Sequence, residues 1–286
     1  MAMLWQISDL HFGTERPEVV SALETLIRSM PSELVVLSGD ITQRAQRAQF
    51  QAARSFVDRL GVPATLIIPG NHDIPLFNLV GRLIDPYANH CRSFGPELEP
   101  VYDSQTLLVI GVNTTRRWRH VDGEVSARQR ERVAQRLSRA SEEQLCIVVT
   151  HQPVAVTSKE DITNLLHGHE AAIYDWSSAG ADLILGGHIH LPFVLPLHKR
   201  FDNLLRHVWA AQAGTAVSSR IRRGANNSVN LIRTTGKLNK SRTAMIQRWD
   251  YNDATRRFGL KCTHSLLLSS RHLCNGANEL PTSSND

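Results

Sequence analysis

The sequence predicts a layered α/β protein, and two observations support this fold class. Short apolar runs rich in β-branched residues, such as ELVVLS and TLLVIGV, alternate with amphipathic segments as far as His190. Continuous apolar runs of this kind are typical of strands buried on both faces, in sheets that helices cover. The chain has 286 residues, of which 42% are apolar and 21% charged, which is ordinary for a globular protein with a substantial core.

The predicted elements alternate in order along this part of the chain. The strand runs are MLWQIS, ELVVLS, PATLIIP, TLLVIGV, QLCIVVT and ADLILG. Between them, helical spacing of apolar residues predicts helices over residues 17–29, 43–60 and 126–140, the last with Ser126 as its N-cap. Residues 152–181 are predicted as a long connection.

The pattern changes after His190. The runs HVWAAQAGTAV, SVNLIRTT, TAMIQRWDY and RRFGLKCTH indicate successive antiparallel strands joined by turn-rich segments. We therefore expect one domain over residues 1–270, with a ligand-bearing part at 1–195 and additional strands at about 205–265. Residues 271–286 are polar and rich in Ser and Asn, and we predict a disordered tail there.

Several classes of protein are excluded or disfavoured. No apolar run approaches the ~20 residues that span a bilayer, and MAMLWQISDLHFG has no basic region followed by a long apolar stretch, so we expect no signal peptide. The four cysteines are far apart and form no CxxC pair, which argues against a zinc ribbon or a dense disulfide framework. A reducing cytoplasm is the expected location. The oligomeric state is not readable from the sequence.

The positive charge is concentrated in one segment, residues 199–261. This basic segment carries 14 Lys and Arg against 3 Asp and Glu, a balance of +11, whereas the whole chain carries +5. Such a segment attracts phosphate-rich partners or an anionic membrane. The alternative is that exposed strands carry Arg and Lys to protect their edges.

Five predicted strands end in residues that bind metals. These residues are Asp9 and His11, Asp40, Asn71 followed by His72, His151, and His188 with His190. In open α/β sheets, ligand sites gather at the carboxyl ends of strands, so we expect these residues to meet in space. Glycine before Asp40, Asn71 and His188 suits a backbone that turns sharply beneath a crowded site.

The donors are carboxylate, amide and imidazole groups, without a thiolate. This set suits Mn, Fe or Zn better than Ca, and it provides enough ligands for two divalent ions that share one carboxylate. Each motif alone is common, but the five together, each after a buried strand, predict a metal site.

The series DLH, GD, GNHD, H and GHIH resembles the calcineurin-like metallophosphoesterase superfamily over about residues 3–195. The stretch GTAVSSRIRRGANNSVNLI also resembles the bacterial class III cyclic-nucleotide-phosphodiesterase-like branch. This resemblance implies a four-layer α/β/β/α sandwich that holds a dinuclear metal centre.

The resemblance also implies a role for each motif residue. The first metal would be held by Asp9, His11, Asp40 and His190, and the second by Asp40, Asn71, His151 and His188. His72 would be the histidine beside the phosphate, without binding a metal. Asp73 is expected either to orient His72 or to accept backbone hydrogen bonds in its turn.

The implied reaction is metal-dependent hydrolysis of a phosphate ester. A hydroxide bridging the two metals would attack phosphorus in line with the leaving oxygen, which His72 would protonate or stabilise. A Ser or Cys nucleophile is unnecessary, and the sequence has no GxSxG motif.

The residues that bind the substrate are not identified by these motifs, and each candidate has a structural alternative. Asn113 and Thr114 either line the pocket or begin a loop, and Arg116 and Trp118 either form a lid or pack. In the turn SSRIRRGANN, the candidates for an anion or base contact are Arg220, Arg222, Arg223, Asn226 and Asn227, unless this is a solvated turn. His167 and His169 follow no strand and are expected at the surface.

Three hypotheses for function remain. The first is a phosphodiesterase acting on a small diester such as a cyclic nucleotide. The second is hydrolysis of a pyrophosphate- or lipid-linked substrate, with Phe77, Leu79 and Val80 as an apolar wall unless they pack in the core. The third is a nuclease or nucleic-acid-binding protein that uses the basic segment and binds less tightly at high salt.

Overall fold

The computed structural model describes residues 2–222, 224–238 and 241–270, and these residues form two β-sheets covered by helices. The strands are β1 (Met3–Ile7), β2 (Leu34–Ser38), β3 (Thr65–Ile68), β4 (Val101–Asp103), β5 (Leu107–Gly111), β6 (Leu145–Val149), β7 (Leu183–Gly186), β8 (Phe193–Pro196), β9 (Trp209–Gln212), β10 (Ser228–Leu238), β11 (Ser241–Asn252) and β12 (Arg257–Leu268). The helices are α1 (Pro17–Ser29), α2 (Arg47–Leu60), α3 (Leu79–Ile84), α4 (Ala88–Phe94), α5 (Ala127–Leu137) and α6 (His169–Ala179). Short 3₁₀ helices cover Asn71–Asp73, Lys159–Asn164 and Leu197–Lys199.

Each sheet combines parallel and antiparallel strands. The first has the strand order β12-β11-β10-β1-β2-β3, with β1, β2 and β3 parallel. The second has the order β4-β5-β6-β7-β9-β8, with β5, β6, β7 and β9 parallel. Among the described residues, no helix is long and apolar enough to cross a membrane.

The apolar residues of the strands divide between an inner core and two outer cores. Successive side chains of a strand face opposite sides of its sheet. In β1, Leu4 lies between the two sheets, whereas Trp5 packs in the core that α1 and α2 cover. In β6, Ile147 faces the inner core and Val148 packs in the core of α5 and α6. The predicted α/β/β/α sandwich is therefore confirmed.

Two predicted helices are shorter than expected, and helix α6 lies where a connection was predicted. Helix α1 has the predicted bounds, whereas α2 begins at Arg47 because Ala45 has a left-handed backbone (φ 53°) that no α-helix accommodates. Helix α5 has its predicted N-cap, Ser126, whose side chain accepts a hydrogen bond from the Gln129 N–H, but it ends at Leu137. Helix α6 lies inside the predicted connection 152–181, and its buried residues include Ala172, Ile173 and Trp176.

The last strands differ in part from the prediction. Strands β10, β11 and β12 are antiparallel neighbours, as expected, but β9 belongs to the second sheet and runs parallel to β7. The short strands β4 and β8 and the helices α3 and α4 were not predicted. Strand β10 lies beside β1, on the side opposite β2, and joins β11 and β12 to the first sheet. The predicted tail at 271–286 lies outside the described residues.

Candidate metal centre

Seven of the predicted site residues lie together where the two sheets meet. They follow five different strands: Asp9 and His11 come after β1, Asp40 after β2, Asn71 after β3, His151 after β6, and His188 and His190 after β7. Their side chains are buried or nearly so. The side chains form two donor groups that share one carboxylate.

The first donor group consists of Asp9, His11, Asp40 and His190, whose ligand atoms lie within 4.8 Å of one another. The two imidazole Nε2 atoms of His11 and His190 are 3.1 Å apart. His190 Nε2 lies 3.3 Å from an Asp9 oxygen, and His11 Nε2 lies 3.7 Å from an Asp40 oxygen. Lone pairs and carboxylate oxygens therefore converge on one point.

The second donor group contains Asp40, His151 and His188, whose ligand atoms also lie within 4.8 Å of one another. The amide oxygen of Asn71 joins it, at 3.2 Å from His151 Nε2 and 3.0 Å from His188 Nδ1. Asp40 Oδ1 is 3.2 Å from His151 Nε2, while the other oxygen of Asp40 faces His11. Asp40 thus connects the two groups.

Backbone carbonyls set the tautomers of two of the histidines. His151 Nδ1 donates to the Ser38 carbonyl at 2.8 Å, and His190 Nδ1 donates to the Arg220 carbonyl at 2.6 Å. Since Nδ1 carries the proton, the Nε2 lone pair of each ring faces the donor cluster. This is the orientation that a metal ligand requires.

The neutral imidazoles of His11 and His188 and the ionised carboxylates of Asp9 and Asp40 suit metal ligands. Burial lowers the pKa of His11 to about 3 and that of His188 to about 4, so both imidazoles are neutral at pH 7. Burial raises the pKa of Asp9 and Asp40, but the neighbouring histidines outweigh this effect, and both pKa values are lowered. Burial lowers the pKa of His151, but the charge and hydrogen bond of Asp40 raise it to about 9. The cluster therefore stabilises positive charge.

The backbone of the site is strained at the ligand positions. Five of the candidate ligands have left-handed backbone angles that are costly for residues other than glycine: Asp9, His11, Asp40, His188 and His190. Two glycines allow the backbone to pass close to the ligand-bearing turns. A Cβ atom on Gly70 would clash with Asp40, and one on Gly187 would clash with Ser8 and Asp9. These observations agree with the glycines predicted beneath the site.

His72 lies beside the donor cluster but is oriented by residues that the motifs did not single out. Its ring is 4.8 Å from the ring of His11, and its Nδ1 donates to the Gln43 carbonyl at 3.0 Å. Arg220 NH1 lies 3.2 Å from His72 Nε2. The sequence did not indicate Gln43, because it follows no strand directly. Arg220 was one of several candidate anion-binding residues in the turn SSRIRRGANN.

Asp73 does not orient His72. Its carboxylate accepts hydrogen bonds from the backbone N–H groups of Ile41, Thr42 and Gly70 at 2.8–3.0 Å. Burial raises the pKa of Asp73 to about 6. Of the two expected roles, the structure therefore supports the second, in which Asp73 fastens the turn that carries Asn71 and His72.

The remaining candidates are mostly structural. The Asn113 side chain accepts hydrogen bonds from the backbone and hydroxyl of Thr115, as in a loop-starting turn. Arg222 forms an ion pair with Asp161 at 2.8 Å. His167 is exposed, as expected, and His169 is the first residue of α6. Arg223 lies outside the described residues.

An exposed apolar surface follows the turn of His72. We call it the apolar rim, and its members are Phe77, Leu79, Val80, Leu83, Ile84 and Trp118, which are 63–80% exposed. The core-packing alternative for its first residues is therefore wrong. Arg82 fastens α3 to the neighbouring loop, since it donates to the carbonyls of Arg117 and Arg119, each at 2.6 Å.

The chemistry of the donors fits two divalent ions. Each group offers buried carboxylate and imidazole atoms in a small volume, and none of the donors is a thiolate. Two imidazole nitrogens 3.1 Å apart whose lone pairs face each other repel unless a cation or proton lies between them. Carboxylate, amide and imidazole ligands together are typical of Mn, Fe and Zn sites.

Comparisons with known proteins agree with this arrangement. The family model for calcineurin-like phosphoesterases matches residues 2–192. A Synechococcus protein named probable cyclic nucleotide phosphodiesterase is 29% identical over 202 residues, which cover 66% of this chain and 73% of the relative.

Solved structures share the fold at low sequence identity. A dimetal phosphatase from Danio rerio matches with a TM-score of 0.65 and 12% identity, covering 94% of this chain and 99% of that one. Purple acid phosphatase from yellow lupin seeds matches with a TM-score of 0.69 and 11% identity, covering 93% of this chain and 53% of that one. This chain thus spans about half the length of the lupin enzyme.

The family match covers more than half of the chain and includes all of the strands that carry the donor cluster. The sheets, the two donor groups and the family model all lead to the same assignment. The chain belongs to the calcineurin-like phosphoesterase family and is a phosphoester hydrolase.

Proposed function

We propose that this chain is a metal-dependent phosphodiesterase that hydrolyses a small diester such as a cyclic nucleotide. The observation that carries the proposal is the pair of donor groups that share Asp40, with His72 beside them. The name of the Synechococcus relative supports the choice of a diester and of a nucleotide.

The proposed ligand sets follow the two donor groups. Asp9, His11, Asp40 and His190 hold one divalent ion, and Asp40, Asn71, His151 and His188 hold the other. When bound, such ions supply Lewis-acid charge at the phosphoryl group and an activated water at neutral pH. Mn, Fe and Zn are the proposed metals, and the cytoplasm is the proposed location because the four widely spaced cysteines form no CxxC pair.

The proposed role of His72 is to assist the leaving oxygen. The Gln43 carbonyl accepts a hydrogen bond from Nδ1, so Nε2, which Arg220 NH1 contacts at 3.2 Å, is the ring atom left for a substrate that displaces this contact. Protonated at Nε2, His72 would then donate to the oxygen of the departing alcohol. A positioned group of this kind contributes about 10²–10⁴-fold to a rate.

The test is the activity of chelated protein before and after Mn²⁺ is added back. The substrates are bis(4-nitrophenyl) phosphate, a diester, and 4-nitrophenyl phosphate, its monoester, followed by 3′,5′-cyclic nucleotides. We expect activity to return with Mn²⁺ and to be greater on the diester. Metal content measured on the same samples should approach two ions per chain.

Two results would change the proposal. Restored activity that is confined to the monoester would retain the metal centre and contradict the diesterase assignment. A lack of activity on any of these substrates, with two ions bound, would contradict hydrolysis of small diesters.

A second candidate function is hydrolysis of a lipid-linked phosphate, and the apolar rim favours it. Large apolar side chains that are this exposed next to a site commonly mark a binding surface. Arg44 lies 5.4 Å from the centre of the Phe77 ring and adds positive charge to the same surface. Faster hydrolysis of a diester with a long alkyl chain than of bis(4-nitrophenyl) phosphate would support this candidate, and equal rates would exclude it.

The nucleic-acid hypothesis receives less support. Several arginines of the basic segment form ion pairs inside the protein. They are Arg206 and Arg242 with Asp182, Arg222 with Asp161, and Arg248 with Asp250. Such pairs do not form an open track for phosphates. Binding of a nucleic acid that weakened steeply with salt would revive this hypothesis.

A further inference from the structure

Among the described residues of the basic segment, Arg220 is the arginine whose guanidinium reaches the donor cluster. Its NH1 donates to Gln43 Oε1 at 2.9 Å and lies 3.2 Å from His72 Nε2. The same atom is 3.4 Å from Nδ1 of His11, a candidate ligand. A guanidinium group therefore stands at the edge of the proposed metal site, within reach of any group bound there.

The charge of Arg220 is not neutralised by a carboxylate within the described ranges. The neighbouring Arg222, by contrast, is paired with Asp161 at 2.8 Å. The polar contacts of the Arg220 guanidinium are with a neutral amide and with imidazole nitrogens, and all of them use NH1. The atoms NH2 and Nε have no hydrogen bond to the described part of the chain and remain available to a ligand.

The contact with His11 does not hold Arg220 in place. If His11 binds a metal through Nε2, its neutral ring carries the proton on Nδ1, and Nδ1 is then a donor. Arg220 NH1 is also a donor, so the two N–H groups face each other without an acceptor. An oxygen atom of an anion would satisfy both.

We propose that Arg220 is a phosphate-binding residue, which donates to a non-bridging oxygen of the substrate's phosphoryl group; this inference rests on the proposed function. A guanidinium group presents its donors in a planar fork that matches phosphate oxygens, and its charge offsets the charge that develops on them. Gln43 is the positioning residue, because its side chain holds NH1 while its carbonyl holds His72.

The backbone of Arg220 is anchored independently of its side chain. Its N–H donates to Ser218 Oγ at 2.9 Å, and its carbonyl accepts hydrogen bonds from Thr215 Oγ1 and His190 Nδ1. Truncation of the side chain therefore leaves the orientation of His190 intact. This separation allows substitutions to remove the guanidinium without removing a ligand.

The test compares Arg220→Ala, Arg220→Lys and a control, Arg54→Ala, in Mn²⁺-loaded protein. Arg54 is an exposed arginine of α2 that pairs with Asp58, so its loss removes one positive charge away from the site. We expect R220A to lower kcat/KM for the diester by about 10²-fold, as is typical for the loss of one donor to a developing oxyanion. R220K should recover part of the loss, and R54A should match the wild type.

Two further measurements separate phosphate binding from damage to the fold or to the metal site. Calorimetric titration with inorganic phosphate should show affinity about tenfold weaker in R220A than in the wild type, with equal metal content, because a hydrogen bond between charged groups is lost. Guanidinium chloride at millimolar concentration should restore part of the diesterase rate of R220A but not change that of R54A.

These outcomes test phosphate binding by Arg220 independently of the proposed diesterase activity. Inactive wild-type protein that binds phosphate through Arg220 would contradict the proposed function and support this inference. Equal phosphate affinity in wild type and R220A would overturn the inference, as would R220A activity within twofold of the wild type. Wild-type protein that binds no phosphate with Mn²⁺ present would also overturn it.

Discussion

The donor cluster and the apolar rim, which begins shortly after Asn71 and His72 in the chain, have opposite properties. The Asp9 and His11 side chains are fully buried, whereas Phe77 and Ile84 on the rim are 80% and 78% exposed. Cluster residues are held by carbonyls, carboxylates and a left-handed backbone. The comparison suggests that the chemistry resides in a rigid, buried set of donors, and that the choice of substrate resides in the exposed surface around it.

The strongest way to break the cluster is to remove the carboxylate that both donor groups share. We expect Asp40→Asn to lower kcat for the diester at least about 10³-fold, since a shared ligand contributes to the charge stabilisation of both ions. Metal content by mass spectrometry should fall in parallel. An active D40N protein with two bound ions would contradict the shared role of Asp40.

His72 can be tested with a matched pair of substitutions. In His72→Asn the amide nitrogen takes the place of Nδ1 and retains the hydrogen bond to the Gln43 carbonyl, whereas in His72→Gln it takes the place of Nε2. We expect H72N to lower kcat by about 10²-fold and H72Q by less, with unchanged metal content. Steady-state kinetics would contradict the proposed role if H72N were as active as the wild type.

The close backbone approach beneath the cluster is tested by Gly187→Ala. The added methyl group would meet Ser8 and Asp9, so we expect the free energy of unfolding to fall by about 1–3 kcal/mol and activity to fall about tenfold. Urea denaturation and kinetics measure both effects. Gly61→Ala is the control, because Gly61 has φ 66° but open space around it, and it should cost about 1 kcal/mol without loss of activity.

The smallest effect is expected for a substitution on the apolar rim, and it would show whether the rim contributes to the choice of substrate. Trp118 is 69% exposed, so Trp118→Ala should change the free energy of unfolding by about 0.5 kcal/mol or less. Its kcat/KM for a small diester should stay within twofold of the wild type. If the lipid-linked candidate is correct, kcat/KM for a diester with a long alkyl chain should fall several-fold in the same variant. Equal losses on both substrates would instead place Trp118 in the catalytic site.

The motifs at the strand ends predicted which residues of the cluster would meet, because parallel strands bring their carboxyl ends together. Asp9 and His190 are 181 residues apart in the chain, and their side chains lie 3.3 Å apart. The layered fold was predictable for the same reason, since continuous apolar runs require cover on both faces. In these respects, local patterns were sufficient.

Other features depend on tertiary contacts that no local pattern encodes. Gln43 acts through its carbonyl, a group that every residue has, and its side chain alone gives no sign of contact with Arg220. The rim residues resemble core residues by type, and within the described part of the chain no layer covers them. The parallel pairing of β9 with β7 likewise depends on where the chain returns after β8.

The pairing of β1 with β10 has a consequence for the order in which this protein is made. Met3 lies opposite Arg233, and the buried Gln6 accepts a hydrogen bond from Asn230. Strand β1 therefore lacks its β10 partner until more than 220 further residues have been made. A ribosome that has released residues 1–195 has already made every candidate ligand, but not the Arg220 carbonyl that orients His190. Contacts of such long range form slowly. During synthesis, the metal site is therefore completed only after Arg220 has emerged, although all of its candidate ligands emerge earlier.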